Sequence, residues 1–152
     1  MSRPSQYLLD TNILLAYVRG GEIGRYVERT YHLLAGPFQP LVCVVSIGEI
    51  RAIAAAQVNP WAKAKTDRMN ELIGKLVVVD ISEPAVLDGY VVAVNRRPKG
   101  LGVPQNDLWI ASAAMATQSC LLTTDRHFDY LADQGLLTRQ WIDPAVGKIV
   151  RM

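Results

Sequence analysis

The feature that most constrains this chain is the alternation of short apolar runs with longer segments of helical composition. The runs lack the polar–apolar alternation of a half-exposed strand, which is typical of strands buried on both faces of a parallel sheet. We predict four such strands, at Tyr7–Leu9, Leu41–Val45, Leu76–Val79 and Cys120–Leu122. Alternating strands and helices predict an α/β fold with helices on both faces of a parallel sheet.

The segments between the runs are long enough for helices and rich in Ala, Leu and Glu. Three are predicted as helices: IGEIRAIAAAQV, EPAVLDGYVVAVNRR and NDLWIASAAMATQ. Within Gly20–Pro40 we predict a further amphipathic helix, because apolar side chains recur at helical spacing and a Gly-Pro pair follows. Its stripe consists of Ile23, Tyr26, Val27, Thr30, Tyr31 and Leu34. NRRPKGLGVPQ, with two Pro and two Gly, is predicted to be a loop.

A length of 152 residues with 50% hydrophobic residues fits one packed domain, so we expect residues 1–152 to form a single domain. No apolar run approaches the roughly 20 residues of a membrane helix, and MSRPSQ does not lead into a signal sequence. We therefore expect a cytoplasmic protein without membrane contact. Cys43 and Cys120, both inside apolar runs, are expected to be buried free thiols. The net charge of +2 does not indicate a nucleic-acid partner by itself.

Four acidic residues lie where a predicted strand or loop leads into a helix: Asp10, Glu49, Asp107 and Asp125. In a parallel sheet these transitions meet at the carboxyl edge, where ligands bind. Helix capping is the alternative, since acids near a helix start satisfy free N–H groups, and Ser46 with Glu49 fits a capping box. Each site, however, also carries a residue that could cap alone: Thr11, Ser46, Asn106 and Thr124.

Four carboxylates at one edge would repel each other, by about 4 kcal/mol for a pair 4 Å apart at an effective dielectric of 20. A bound cation removes this repulsion. Mg²⁺ or Mn²⁺ fits oxygen ligands, whereas zinc is disfavoured because His32 and His127 stand alone and neither cysteine is placed as a ligand. An open site of this kind can support phosphodiester hydrolysis.

Four sequence blocks, spread over almost the whole chain, resemble those of the PIN-domain ribonucleases and most closely the VapC-type toxins of bacterial toxin–antitoxin pairs. They are YLLDTNILL, VVSIGEIRAI, PQNDLWIASAAMA and LLTTDRHFDYL. The resemblance implies a three-layer PIN-like fold with a parallel sheet of about five strands. It also implies an endoribonuclease that depends on Mg²⁺ or Mn²⁺, with RNA as substrate and an antitoxin protein as partner. We further expect the protein to be a homodimer.

The resemblance assigns both catalysis and metal binding to the four acids. Asp10 and Asp107 are expected to bind the metal directly, and Asp125 to bind a second ion or a metal-coordinated water. Glu49 is expected to orient or deprotonate the attacking water, although its capping-box interpretation stays open.

Three further residues lie near the acids in sequence. Asn12 and Thr123 match polar positions of the family and are expected to fix carboxylate rotamers. For His127 we favour a half-buried helix residue without a chemical role, because the family's chemistry needs no imidazole.

The basic residues Arg96, Arg97 and Lys99 precede Asp107 and are interpreted either as contacts to RNA phosphates or as a solvated loop. Those between residues 63 and 75 alternate with acids and are interpreted as a solvated helix face. The stripe within Gly20–Pro40 is either an antitoxin-binding face or core packing.

Two other functions are considered. A phosphatase of the haloacid dehalogenase type needs a second Asp at position 12, where this chain has Asn12. The second is a non-catalytic PIN-like scaffold that binds RNA or protein, which the intact set of acids disfavours.

Overall fold

The computed structural model describes residues 6–146. Within that range the chain forms five strands and seven helices. In chain order they are β1 (Tyr7–Leu9), α1 (Thr11–Arg19), α2 (Glu22–Tyr31), β2 (Leu41–Cys43), α3 (Val44–Ala54), α4 (Lys63–Gly74), β3 (Val77–Val79), α5 (Pro84–Asn95), α6 (Gln105–Thr117), β4 (Cys120–Thr123), α7 (Asp129–Asp133) and β5 (Arg139–Trp141). None of these helices has the length and apolar character needed to cross a membrane.

All five strands are parallel and form one sheet in the order β3-β2-β1-β4-β5. The first strand in the chain therefore lies at the centre, where Leu8 is aligned with Leu41 of β2 and with Leu121 of β4. The Asp10 amide continues this pairing by donating to the Leu122 carbonyl, 3.0 Å away. The predicted parallel α/β fold of about five strands is confirmed.

Helices cover both faces of the sheet. Neighbouring residues of each short strand point to opposite faces, so they pack in different layers. Leu9 packs into a cluster with side chains of α1, α3 and α4, including Ile13 and Ile50. Leu8 packs on the other face with side chains of α6 and α7, among them Ile110. The three-layer arrangement leaves the carboxyl ends of the strands uncovered by either layer's core, so the loops that follow the strands meet there.

The predicted strand bounds agree closely with the observed ones, apart from shifts at their ends. Residues 7–9 match β1, whereas β2 ends at Cys43 and the two valines that follow begin α3. Cys43 and Cys120 are both buried free thiols, as predicted. The pattern of apolar runs did not locate β5 at Arg139–Trp141. Residues 1–5, which make up most of the segment MSRPSQ, lie outside the described residues, so the structure does not bear on the expectation that this segment is no signal sequence.

The helix predicted within Gly20–Pro40 is shorter than its apolar stripe. It ends at Tyr31, because His32 adopts a left-handed conformation with φ of 52°, and Leu34 lies in the following turn. Most of the stripe faces the core. Val27 is fully buried in the cluster that contains Leu9, and three neighbouring side chains pack against that cluster, namely Ile23, Tyr26 and Tyr31.

Helices α1 and α2 approach closely where Gly24 faces the backbone of Ala16. A Cβ atom at Gly24 would lie 2.7 Å from the Ala16 carbonyl oxygen, which is too close for an undisturbed contact. The position therefore needs glycine, and the two helices are in close contact there.

Candidate metal centre

Asp10 follows the central strand β1 and begins the first helix. It is 3% exposed. Its Oδ1 accepts from the Thr11 amide at 2.7 Å, and its Oδ2 accepts from the Thr123 hydroxyl at 2.7 Å. These two bonds, from α1 and from the end of β4, fix the orientation of the carboxylate at the carboxyl edge of the sheet.

The electrostatics of this edge disfavour negative charge. The pKa of Asp10 is raised to about 7, mainly by burial. The hydrogen bonds from Thr123 and Thr11 lower it, and the charges of Asp107 and Asp125 raise it. Burial also raises the pKa of Asp107, against the bond from His127. A bound cation would stabilise the ionised carboxylates and reverse these shifts.

Asp107 and Asp125 reach the edge from two other elements. Asp107 is the third residue of α6, and Asp125 lies in the turn after β4, where its Oδ1 accepts from the His127 amide at 2.9 Å. The Asp125 amide in turn donates to the Thr123 hydroxyl at 2.9 Å. The Thr123 hydroxyl thus contacts the Asp10 carboxylate and the backbone amide, not the carboxylate, of Asp125.

His127 occupies a position that the sequence interpretation missed. It lies in the turn before α7 rather than in a helix, and its Nδ1 is 2.7 Å from Asp107 Oδ2 and 3.0 Å from Asp125 Oδ1. One potential ligand atom from each of these three residues lies within 4.8 Å of the others. The sequence does contain a signal for this contact. His127 lies two positions after Asp125, and this spacing places the imidazole within reach of the acids.

Glu49 lies in the second turn of α3, not at the start of a helix. The helix begins after Cys43, so Ser46 is inside it, and the predicted capping box does not form. Instead the Thr11 hydroxyl donates to Glu49 Oε1 at 2.6 Å and lies 3.0 Å from the Ser46 hydroxyl. Thr11 links Glu49 to Asp10, because its hydroxyl donates to Glu49 and its amide donates to Asp10. The charge of Glu49 also raises the pKa of Asp107.

Asn12 does not contact the acids. Its side chain is exposed and forms no hydrogen bond within residues 6–146. The residue beside it, Thr11, makes the contact to Glu49 that was expected of an accessory polar group.

The loop residues Arg96, Arg97 and Lys99 are exposed between α5 and α6. In the part of the chain that the structure describes, they form no ion pair, and the structure does not bring them onto the acids. Their contact with RNA stays a prediction.

The donor set fits a hard divalent cation. Carboxylate oxygens are the ligands that Mg²⁺ and Mn²⁺ prefer, and the site combines them with raised pKa values that a cation would lower. His127 Nδ1 lies 2.7 Å from an oxygen of Asp107 and 3.0 Å from an oxygen of Asp125, in the space that a cation bound by both acids would occupy. Metal binding there requires the imidazole to move or to become a ligand.

Comparison with known proteins identifies the family of the chain. A sequence model of the PIN domain matches residues 7–134. Ribonuclease VapC4 of Mycobacterium tuberculosis is 32% identical over 98 residues, which cover 64% of this chain and 75% of that protein.

Solved structures share the fold at low sequence identity. VapBC2 from Rickettsia felis, bound to a DNA fragment from its promoter, superposes with a TM-score of 0.70 at 20% identity, covering 91% of this chain and 99% of that one. VapBC-1 from nontypeable Haemophilus influenzae gives 0.69 at 20% identity over 90% and 97%. The chain is therefore a VapC-type member of the PIN-domain family.

Proposed function

We propose that this chain is a metal-dependent endoribonuclease and the toxin of a toxin–antitoxin pair. The observation that carries the proposal is the convergence of four acids from four separate elements at one sheet edge: Asp10, Glu49, Asp107 and Asp125. The relative from M. tuberculosis, named a ribonuclease, supports the same reaction.

Asp10 and Asp107 are the proposed direct ligands of Mg²⁺ or Mn²⁺, because they are the two acids whose pKa values burial raises. Asp125 is proposed to bind a second ion or a coordinated water. When bound, the metal supplies stabilisation of the charge that develops on the phosphate and orients the attacking water.

Glu49 is proposed to position that water and accept its proton. The Thr11 hydroxyl holds its Oε1, while its second oxygen has no hydrogen bond among the described residues and is available for the water. The Thr123 hydroxyl is proposed to hold the Asp10 carboxylate and the Asp125 backbone in position through its two hydrogen bonds. Phosphates on either side of the cut are proposed to be contacted by Arg96, Arg97 and Lys99.

A nuclease assay with matched variants tests the proposal. A mixed-sequence single-stranded RNA is incubated with wild type, Asp10→Asn, Asp107→Asn and the exposed control Asp88→Asn, in Mg²⁺, in Mn²⁺ and in a chelator. We expect cleavage by wild type and Asp88→Asn only when metal is present, and none by the other two variants. Full activity in both Asp10→Asn and Asp107→Asn would rule out this site, and RNA binding without cleavage by wild type would indicate the non-catalytic scaffold.

The toxin role rests on the VapBC complexes among the structural neighbours. Expression of wild type alone is expected to stop bacterial growth, whereas Asp10→Asn is expected to leave growth unchanged. Unimpeded growth with a wild-type protein that cuts RNA in vitro would contradict the toxin role while sparing the nuclease. The homodimer stays a prediction, which light scattering of the purified protein tests.

A further inference from the structure

A surface cavity of about 500 Å³ adjoins the acid cluster on the side of α1 and α2. Its walls come from α1, from the start of α2, and from the turns after β4 and β5. This volume is within the range of pockets that hold small organic ligands. We call it the α1–α2 cavity.

Two residues connect the cavity with the acids. Asn12, which lines it, is two positions after Asp10, and Thr124, which also lines it, lies between Thr123 and Asp125. Consecutive Cα atoms are 3.8 Å apart, so the cavity begins within one or two residues of the cluster. Residues that flank Asp10 and Asp125 in the chain therefore also line the cavity, although the acids themselves do not.

The lining is chemically mixed in a way that suits a nucleobase. Apolar surface comes from Leu15, Ala16, Ile23 and Pro144. The Asn12 amide supplies a donor and an acceptor, and within residues 6–146 it has no hydrogen bond of its own. An unpaired base has two apolar faces and a polar edge, which are read by packing and by such amide groups.

A cation at the same cavity favours RNA over an apolar protein side chain. Arg19 is exposed and forms no ion pair within the described residues, so it can reach the phosphate of the inserted nucleotide. Glu22 also lines the cavity, but it is paired with Arg25 at 2.7 Å, which limits its repulsion of phosphate.

The cavity wall is closely packed where Gly24 of α2 meets the Ala16 backbone of α1. A preformed wall of this kind loses little conformational entropy when a ligand binds.

We propose that the α1–α2 cavity is a subsite for one unpaired nucleobase of the RNA, adjacent to the cut phosphate, and that Asn12 contacts the polar edge of that base. This inference rests on the proposed ribonuclease function. It makes Asn12 a determinant of which nucleotide lies beside the cut.

The test uses an RNA of about a dozen nucleotides centred on a bond that wild type cuts. Each nucleotide near that bond is replaced in turn by an abasic one, and binding to the full-length Asp10→Asn protein, which leaves the RNA intact, is measured by fluorescence anisotropy. We expect one position next to the cut to lose affinity about 5- to 100-fold when its base is absent, with the other positions less affected.

Two variants in the same Asp10→Asn background locate the effect. Ala16→Phe fills the cavity and is expected to lower affinity for the intact RNA by a similar factor. For the RNA that lacks the critical base, Ala16→Phe is expected to bind no more weakly than the parent protein does. Asn12→Ala is expected to change the order of preference among the four bases at that position only. Asn70→Ala, an exposed amide on α4, is the matched control, and circular dichroism confirms that each variant folds.

The outcomes separate the inference from the proposed function. If wild type cuts RNA but no abasic position matters, or if Asn12→Ala and a folded Ala16→Phe bind as the parent does, the subsite is overturned and the nuclease stands. If Ala16→Phe loses affinity for a protein partner while its RNA affinity is unchanged, the cavity binds protein and the inference is overturned. If no RNA is bound or cut, both proposals are overturned.

Discussion

Asp10 caps a helix and also contributes to the acid cluster, two interpretations that the sequence presented as alternatives. Both are compatible because an ionised carboxylate has about four acceptor sites. One oxygen accepts from the Thr11 amide and the other from the Thr123 hydroxyl, and lone pairs on each oxygen remain for a cation. Capping therefore fixes the rotamer that metal binding uses.

The raised pKa of Asp10 predicts a pH dependence of stability in metal-free buffer. The folded pKa is about 7 and the ordinary value is 3.8, so the folded state favours the protonated carboxyl. Its contribution is fully present below pH 4 and is lost as pH rises through 7, at up to roughly 1.4 kcal/mol per pKa unit. Urea unfolding between pH 4 and pH 8 measures the loss.

Asp10→Asn is expected to flatten this dependence and to be more stable than wild type at pH 8, because it removes an ionised buried group. Asp88→Asn should keep the wild-type slope, and added Mg²⁺ should stabilise wild type most at the higher pH. An identical pH dependence in Asp10→Asn and wild type would show that Asp10 is not the titrating group.

The contact of His127 with two acids predicts that it competes with the metal. His127→Ala removes the contact of the imidazole with Asp107 and Asp125. The free energy of unfolding of the metal-free protein should therefore fall by about 1 kcal/mol, and its Tm should fall with it. The rise in Tm on adding Mg²⁺ should then exceed that of wild type. The control is His32→Asn, which replaces the other, exposed histidine with a residue that tolerates the left-handed conformation. Equal Mg²⁺-induced rises in His127→Ala and wild type would contradict the competition.

The sequence located the acids better than their partners. The position of an acid after a strand follows from the apolar pattern, but its hydrogen bonds depend on the rotation of each helix. Because α3 begins after Cys43, Ser46 faces Thr11 instead of capping the helix. The contacts of Thr11 and His127 could therefore not be derived from local pattern, and the exposure of Asn12 follows from the phase of α1 in the same way.

At the scale of elements, four strands were predictable and β5 was not. Edge strand β3 was predicted from its valines, but it is not buried as expected, because Val77 and Val78 are 40% and 46% exposed. Central strands read as apolar runs because both faces are covered, whereas β5 has the sequence RQW with no buried residue, and its pairing with β4 is non-local. The two valines after β2 favour strand by propensity, yet they are helical. Tertiary context overrides local preference there.

The contact between α1 and α2 predicts opposite effects for two glycine substitutions. Gly24→Ala places a Cβ 2.7 Å from the Ala16 carbonyl oxygen, so the helices must separate, and stability should fall by about 1–3 kcal/mol. Gly48→Ala, inside α3 with no atom within 4 Å of the new Cβ, should raise stability by roughly 0.5–1 kcal/mol. Urea unfolding at one pH measures both, and a loss at Gly48 as large as that at Gly24 would contradict the close packing.

At the scale of the whole molecule, the net charge of +2 conceals an uneven distribution. The loop cations Arg96, Arg97 and Lys99 form no ion pairs within residues 6–146, whereas Lys63 of α4 pairs with Asp67 at 2.8 Å. The cations of α4 share their helix with Asp67 and Glu71, which pair with Lys63 and Lys75, so part of their charge is compensated.

Replacing all three loop cations with Ala is expected to weaken RNA binding and to make the slope of log affinity against log salt shallower by about 2. A triple Ala variant of the α4 cations, at Lys63, Lys65 and Arg68, should change the slope much less. Anisotropy titrations from 50 to 300 mM salt measure the slopes of both variants. An unchanged slope in the loop variant would show that the three loop cations do not contact RNA, which leaves the solvated-loop interpretation.

The central position of β1 also sets the order in which the protein can be assembled. Its partners are β2 and β4, and the Asp10 amide bonds to Leu122, so the first acid reaches its final place only after residues far along the chain have been made. At 5–20 residues per second, roughly ten seconds separate the synthesis of Asp10 from that of Asp125. A nascent chain on the ribosome therefore lacks the assembled cluster. If the chain is the toxin proposed above, this delay gives an antitoxin synthesised at the same time a period in which to bind before the acids can act on RNA.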